Sequence, residues 1–191
     1  HFHPDHVSGM PLLLMDMWLL GRPKPLNIYR LHYTMDRLEQ LMGFYGWAEW
    51  PDFFSVGFYR LPEAEMAYVL DCEEFKIHSS PVHHMIPTIG LRVECKNPGK
   101  ILAYSCDTEP CEQTVRLADG ADILIHEAAG AFYGHSSAEQ AGEIATRAEV
   151  DKLYLIHYPT GRFANGNLLE EAGKTYKGEV IVAKDFMTIE L

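Results

Sequence analysis

The sequence has 191 residues, with 16 Lys and Arg against 27 Asp and Glu, a formal net charge of −11 and 47% hydrophobic residues. This length suits one domain with a real core, and the composition excludes disordered, collagen-like and coiled-coil chains. The acidic balance argues against a broad nucleic-acid surface, which would normally be basic. The longest apolar run, residues 10–20, is interrupted by Asp16 and is too short to span a bilayer, so no membrane is expected as a partner.

The four cysteines indicate the redox environment of the protein rather than a metal site or a disulfide framework. None forms a Cys-x-x-Cys pair, so a zinc ribbon is not expected, and four are too sparse for a disulfide scaffold. We therefore expect reduced thiols, mostly packed in the core, in a cytoplasmic protein. They are Cys72, Cys95, Cys106 and Cys111.

The first third of the chain predicts two helices and one short strand. A helix over residues 9–20 would begin after Ser8 as its cap, and apolar residues on nearly every side predict that it is buried. Residues 26–29 predict a short buried strand, and residues 34–44 predict a second helix. The aromatic-rich stretch 46–62 has no clear period; it is either a lid over a site or a loop packed under the core.

The rest of the chain predicts a sheet covered by helices. β-Branched and aromatic residues bounded by turn signals predict strands at residues 66–70, 74–79, 88–95 and 100–105. Helices and strands then alternate, which is typical of βα units. This alternation predicts helices at 110–118, 137–148 and 167–176, and strands at 122–125, 152–156 and 179–182. We therefore expect a single α/β (α+β) domain over residues 1–191.

The helix at 137–148 carries the clearest local signals. Ser136 and Glu139 have the spacing of a capping box. A stripe of small residues at helical spacing predicts close packing against the sheet. The stripe is formed by Ala138, Ala141, Ala145 and Ala148.

The strongest chemical signal is the opening motif His1-x-His3-x-Asp5-His6. Residues two apart in an extended segment point the same way, so His1 and His3 can reach one metal ion together. Asp5 and His6 can reach a second ion as the chain turns into a helix. Imidazole and carboxylate ligands suit zinc, and also manganese or iron. A tag is the plain alternative, but tags are usually homopolymeric, and this motif contains an aspartate and precedes a helix.

Further ligand types follow predicted strands. Two ions close together need a shared anionic ligand and additional histidines. Asp107 follows the strand at 100–105, His157 follows the strand at 152–156, and His84 follows the strand at 74–79. Such residues at strand ends lie at a sheet edge, where sites are built.

In this order, the residues resemble the metallo-β-lactamase superfamily and, in detail, its ribonuclease Z branch. The matching segments are His84-Met-Ile-Pro-Thr-Ile-Gly-Leu-Arg-Val-Glu94, Tyr104-Ser-Cys-Asp-Thr-Glu-Pro110, Leu124-Ile-His-Glu-Ala-Ala129, Gly134-His-Ser-Ser-Ala138 and Leu155-Ile-His157. The resemblance extends from residue 1 to about residue 158.

The resemblance implies two zinc ions, with manganese or iron as alternatives. The first ion would be bound by His1, His3, His84 and Asp107, and the second by Asp5, His6, Asp107 and His157. Asp107 would thus bridge the two ions. His83 is the rival of His84, which fits the motif register better, and we expect His32, His78 and His126 to be non-ligands.

The resemblance also implies a mechanism. A hydroxide held between the ions would be the nucleophile. Asp5 would orient or deprotonate the attacking water. His135, steadied by Glu127, would donate a proton to the leaving oxygen.

The implied fold is the αββα sandwich of the superfamily. In that fold several strands precede the histidine motif, so we expect this sequence to be an N-terminally truncated fragment of a longer chain. The implied activity is that of a dinuclear zinc phosphodiesterase or endoribonuclease acting on RNA or on a smaller phosphodiester. The alternatives are a zinc-dependent ester, lactone or thioester hydrolase on the same scaffold, and a non-enzymatic binding protein. A homodimer is expected from the resemblance alone.

Three departures bear on the substrate. Ribonuclease Z enzymes carry a long tRNA-clamping arm between the motif that contains His84 and the bridging aspartate, and here only 22 residues lie between them. The net charge of −11 disfavours RNA, whose binding depends on neutralising phosphates. Cys106 stands where glycine is usual, and Ala129 and Ser137 replace two threonines. Cys106 either crowds Asp107 or fills space, and we favour the second.

Overall fold

The computed structural model describes residues 1–164 and 166–191, and these form two compact units, His1–Pro62 and Glu63–Leu191. Helices and strands mix in both units, which confirms the α/β class. The extent of the domain, residues 1–191, stays a prediction. Within the described residues, no helix has both the length and the apolar character needed to cross a membrane.

The first unit pairs two parallel strands with three helices. Its strands, β1 (Leu26–Arg30) and β2 (Val56–Arg60), run parallel with Leu26 opposite Val56. Its helices are α1 (Pro4–Val7), α2 (Gly9–Leu19) and α3 (His32–Phe44), with a short 3-10 helix at Trp47–Glu49. The sequence predicted α2, β1 and α3 closely but not β2.

Two expectations for α2 were wrong. Of its residues only Pro11 and Leu14 are buried, whereas Leu12 and Leu19 are more than half exposed. The helix carries apolar side chains on nearly every side, but only one of its sides packs against a core. Ser8 has helical backbone angles and makes no capping hydrogen bond through its side chain, because α1 ends directly before it.

The aromatic-rich stretch packs into the core of the first unit. Leu14, Leu38, Met42 and Phe54 form the buried centre of this core. Partly buried aromatic residues surround it, among them Trp18, Trp47, Trp50, Phe53 and Phe58. The structure thus favours the packed-loop alternative over a lid, since these rings already have partners within their own unit.

The second unit is built on a seven-stranded sheet whose strands lie side by side in chain order. The strands are β3 (Ala67–Asp71), β4 (Phe75–Val82), β5 (Thr88–Cys95), β6 (Ile101–Tyr104), β7 (Ile123–Glu127), β8 (Lys152–Ile156) and β9 (Glu179–Val182). Strands β3 to β6 pair antiparallel, and strands β6 to β9 pair parallel. The helices are α4 (Glu112–Ala118), α5 (Ala138–Arg147) and α6 (Leu168–Ala172), with a 3-10 turn at Gly161–Phe163. All seven predicted strands are confirmed.

Helix α5 packs on this sheet through the expected alanine stripe. Ala138, Ala141, Ala145 and Ala148 are buried in one cluster with Leu124, Leu153 and Leu155 of β7 and β8. The capping box lies one residue later than predicted: Ser137 Oγ accepts from the Gln140 N–H, and Gln140 Oε1 accepts from the Ser137 N–H. Ser136 instead donates its hydroxyl to the Thr108 carbonyl at 2.6 Å. Ser136 is thus used to join two loops rather than to cap the helix.

The cysteines are thiols, as expected. Cys106 and Cys111 are buried, and Cys72 and Cys95 are half-buried.

Candidate active site

Three candidate site residues lie where parallel strands end. Glu127 is the last residue of β7, His157 follows β8 directly, and Asp107 comes shortly after β6. The carboxyl ends of parallel neighbours meet at one edge of a sheet, and sites form there because the diverging loops leave a crevice. Asp107 is 3% exposed, and its Oδ1 lies 3.5 Å from Nδ1 of His157.

The backbone at this edge turns sharply. Cys106 has φ +56° and His157 has φ +49°, both in the left-handed region that disfavours side chains. This conformation would favour glycine at the position of Cys106. Burial raises the pKa of the Cys106 thiol, so Cys106 is a neutral space-filling group at neutral pH, in line with the interpretation we favoured.

Glu127 is a fully buried carboxylate surrounded by donors. Its Oε1 accepts from the Thr108 N–H at 3.1 Å and the Ser136 N–H at 3.1 Å, and its Oε2 accepts from the Ala129 N–H at 2.8 Å. Burial nevertheless dominates and raises the pKa of Glu127 to about 7, while these N–H groups lower it. A carboxyl group with such a pKa can gain or lose a proton near neutral pH.

His135 is held by Glu127. Its Nδ1 lies 2.9 Å from Oε1 of Glu127, and the residue is 8% exposed. A carboxylate beside Nδ1 favours the tautomer in which Nδ1 carries the proton. The ring of His135 lies 5.0 Å from that of His84 and 5.6 Å from that of His157, measured between centroids. Ligand atoms of Glu127, His135 and His157 all lie within 4.8 Å of one another.

His84 and His83 differ clearly in their surroundings. Nδ1 of His84 lies 2.6 Å from the Gly134 carbonyl oxygen, which can only accept, so Nδ1 carries the proton. Nε2 of His84 is therefore the basic nitrogen. His83 is exposed, and its backbone pairs with Glu109. These surroundings favour His84 as a ligand.

The opening motif forms a cluster of imidazoles in the first unit. His3, directly before α1, is extended, and Pro4 begins the helix, so the chain bends between His3 and His6. The ring of His1 lies 4.7 Å from that of His3 and 3.8 Å from that of His6, measured between centroids. Asp5 Oδ2 lies 3.5 Å from Nε2 of His6. Three imidazoles and a carboxylate thus gather within six residues.

The chemistry of both clusters fits divalent metal ions. A histidine that binds a metal through one nitrogen usually donates the other N–H to a carbonyl or carboxylate, as Nδ1 of His84 does to Gly134. The donors are imidazole nitrogens and carboxylate oxygens, a set that suits zinc and also manganese or iron.

The three histidines expected to be non-ligands, His32, His78 and His126, belong to none of the groups of neighbouring ligand atoms found among the described residues. His126 is fully buried in β7, its Nδ1–H donates to the Glu127 carbonyl at 2.8 Å, and burial lowers its pKa to about 4. His78 lies on β4 with its Nδ1 3.8 Å from Glu94, and His32 is exposed at the start of α3.

The sequence did not reveal the residues that hold the site in place. Ser105, Thr108 and Ser136 join the β6, β7 and α5 ends through hydrogen bonds around Glu127. Glu109 fixes the neighbouring loop by accepting from the Gly134 N–H at 2.7 Å. Their hydrogen-bond partners are distant in sequence, so no local pattern pointed to them. The one available signal was that these polar residues lie inside the segments that carry the family resemblance.

Comparison with known proteins identifies the sequence family. The family model described as the Beta-lactamase superfamily domain matches residues 1–158. The Ribonuclease Z of Bacillus licheniformis is 30% identical, with 100% of this chain and 79% of that protein covered. The Ribonuclease Z of Methanothermobacter thermautotrophicus is 26% identical, with 100% and 78% covered. These alignments span 244 and 246 positions, so the relatives carry residues within the matched span that this chain lacks.

Two solved structures share the fold. The metallo-β-lactamase fold protein YhfI from Bacillus subtilis matches with a TM-score of 0.78 at 22% identity, covering 96% of this chain and 72% of that one. Human tRNase Z, short form, matches with a TM-score of 0.75 at 24% identity, covering 100% and 76%. These likenesses show the metallo-β-lactamase fold.

Proposed function

The chain belongs to the metallo-β-lactamase superfamily, in its ribonuclease Z-like branch, and on that premise we propose that it is a dinuclear zinc hydrolase that cleaves phosphodiester bonds. The observation that carries this proposal is the Glu127–His135 pair, 2.9 Å apart and next to Asp107 and His157 at the carboxyl edge of the sheet. A positioned proton donor is what a phosphodiester with a poor leaving group requires.

We propose that the metal ligands are those implied by the family resemblance. His1, His3, His84 and Asp107 would bind one ion, and Asp5, His6, Asp107 and His157 the other. When bound, such ions supply Lewis acidity to phosphoryl oxygens and an ionised water at neutral pH. Zinc is proposed because imidazole dominates the donor set, with manganese or iron as the alternatives.

The residues of the chain would divide the proton transfers. Asp5, whose side chain is 57% exposed, would accept a proton from the attacking water. His135 would donate a proton from Nε2 to the leaving oxygen, because Glu127 engages its Nδ1. Glu127 would hold the ring in this tautomer and stabilise the cation that His135 becomes when it is protonated again.

The proposed substrate is a small phosphodiester rather than an intact tRNA. The segment between His84 and Asp107 is occupied by strands β5 and β6, and the net charge is −11. RNA affinity rests largely on cations that neutralise phosphates, which this chain offers sparsely. A homodimer and a cytoplasmic location stay predictions from the resemblance and from the cysteines.

Substrate preference tests the proposal. The full chain, loaded with zinc, is compared on bis-p-nitrophenyl phosphate and on a panel of lactones and thioesters. We expect turnover of bis-p-nitrophenyl phosphate that falls strongly in Asp5→Ala and less in His135→Ala, because nitrophenolate leaves without a proton. The matched control His32→Ala, at an exposed position at the start of α3, should leave turnover unchanged. Turnover of lactones or thioesters without phosphodiester turnover would overturn the proposal. Pre-tRNA is tested separately at several salt concentrations, and weak binding is expected.

A further inference from the structure

A cavity of about 310 Å³ opens beside His84 within the second unit. Its walls include His84, Met85, Pro87, Glu109 and Tyr133. Its volume is at the lower end for small-ligand sites. Because His84 belongs to both, the cavity adjoins the candidate active site, and none of the proton transfers proposed above uses it.

The loop that carries Tyr133 is firmly held. The Gly130 N–H donates to the Ser136 carbonyl at 2.9 Å, and the His135 N–H donates to the Phe132 carbonyl at 2.9 Å. Two hydrogen bonds hold Gly134: its N–H donates to Glu109 Oε1 at 2.7 Å, and its carbonyl accepts from His84 Nδ1. The backbone on each side of Tyr133 is thus fixed before any ligand binds.

The side chains on this loop are nevertheless exposed. Tyr133 is 74% exposed and Phe132 is 55% exposed, although the Phe132 ring lies 4.8 Å from that of His135. Met85, on the facing wall, is 43% exposed. An exposed aromatic ring on an ordered loop beside an active site offers a preformed stacking surface for a flat ligand.

Glu109 adds a polar feature to the cavity wall. Its Oε1 accepts from Gly134, while its Oε2 accepts no hydrogen bond from residues 1–164 or 166–191. A carboxylate oxygen accepts from the amino group of cytosine, as in the recognition of C N4 by Glu. At the same position uracil presents a carbonyl oxygen, which a carboxylate repels.

We propose that this cavity is a nucleobase subsite, in which Tyr133 stacks on the base and Glu109 selects bases that carry an amino group. The inference rests on the proposed function, because it places the phosphate of the same nucleotide at the metal site. An apolar acyl group suits the cavity less well, since it would cover the Glu109 carboxylate without giving it a donor. The substrate class is therefore a nucleotide ester, with cytidine favoured over uridine.

Direct binding tests the stacking role. The zinc-loaded full chain is titrated calorimetrically with cytidine 5′-monophosphate, uridine 5′-monophosphate and ribose 5-phosphate. We expect Tyr133→Ala to weaken cytidine monophosphate binding roughly 5- to 100-fold and to leave ribose 5-phosphate binding unchanged, whereas Tyr133→Phe retains binding. The control Tyr68→Ala removes an exposed tyrosine from β3 and should change neither. An unchanged ratio of cytidine monophosphate to ribose 5-phosphate affinity in Tyr133→Ala would overturn the stacking role.

A second variant tests the selection by Glu109. In Glu109→Gln the amide oxygen can still accept from Gly134, while the amide N–H groups face the base and favour a carbonyl. We expect the preference for cytidine over uridine monophosphate to reverse, and an unchanged preference would contradict this role. Since binding is measured without turnover, Tyr133-dependent nucleotide binding by a chain that cleaves no phosphodiester would uphold the subsite and overturn the proposed function. Phosphodiester turnover without base-dependent binding would do the opposite.

Discussion

Nδ1 of His135 lies 2.9 Å from Oε1 of Glu127, and the same carboxylate accepts N–H groups from three backbone positions. Both carboxylate oxygens of Glu127 thus accept hydrogen bonds, so the carboxylate cannot rotate without losing a bond. Its orientation fixes the orientation of the His135 ring. In the proposed mechanism, Glu127 is therefore a positioning residue and His135 the proton donor.

The role of His135 predicts a dependence on the leaving group. We expect His135→Ala to lower the turnover of a cytidine phosphate methyl ester by about 10²–10⁴-fold, because methoxide needs a proton as it leaves. Turnover of the p-nitrophenyl ester of the same nucleotide should fall less, since nitrophenolate leaves without needing a proton. Steady-state rates on the two esters measure the difference. Equal losses on both esters would show that His135 does not act as a proton donor.

The buried His126 predicts acid-sensitive stability. Its folded pKa of about 4 lies below the ordinary value of 6.5, so the unfolded state binds more protons between these values. The free energy of unfolding therefore falls as pH falls through this window, by about 2 kcal/mol between pH 7 and pH 5 from this residue. In urea titrations of the metal-free protein, His126→Leu should lose less unfolding free energy between pH 7 and pH 5 than the unsubstituted chain does. The exposed His32→Leu serves as control, and an equal loss in His126→Leu and the unsubstituted chain would contradict this.

The left-handed backbone at Cys106 predicts an unusual order of stability. Glycine normally destabilises a fold relative to alanine, because it loses more conformational freedom on folding. At φ +56° a Cβ costs about 1–2 kcal/mol, so Cys106→Gly should be more stable than Cys106→Ala by about 1 kcal/mol. Denaturant unfolding of both variants measures this. An alanine variant that is the more stable of the two would argue against a strained turn before Asp107.

Gly134 and Gly120 form a matched pair for the packing of the His84 loop. Both have positive φ, +82° and +60°, but a Cβ on Gly134 would lie 2.9 Å from Nδ1 of His84, whereas one on Gly120 meets nothing within 4 Å. We expect Gly120→Ala to cost about 1–2 kcal/mol of unfolding free energy from backbone strain, and Gly134→Ala about 2–4 kcal/mol. Gly134→Ala should also lower zinc affinity by displacing His84. Equal costs in the two variants would mean that the loop adjusts freely.

Much of the fold could be predicted from the sequence, because its signals are local. Strands β5, β8 and β9 begin and end where turn residues and β-branched runs predicted. Strand β2 was missed because the aromatic-rich stretch around it has no clear period. Phe58 packs against the core of the first unit, whereas Tyr59 is about half exposed. The burial of α2 was overestimated, because an apolar helix does not reveal which of its faces finds a partner.

The candidate site was predicted through motif order rather than through geometry. The order of Asp107, Glu127, His135 and His157 could be matched to a family, but not their hydrogen bonds. The four donors to Glu127 come from residues up to 19 positions away, as with Thr108 and Glu127, and such pairings leave no local pattern. The same holds for His84 and Gly134, which are 50 residues apart.

A zinc titration of the metal-stripped enzyme tests whether phosphodiester cleavage depends on metal. The full chain is freed of metal with a chelator and then given increasing zinc, while hydrolysis of bis-p-nitrophenyl phosphate is followed. We expect negligible hydrolysis without metal and full activity at two equivalents of zinc, with no recovery in Asp107→Ala. Hydrolysis that persists in the stripped enzyme, or that fails to appear at any zinc concentration, would contradict this expectation.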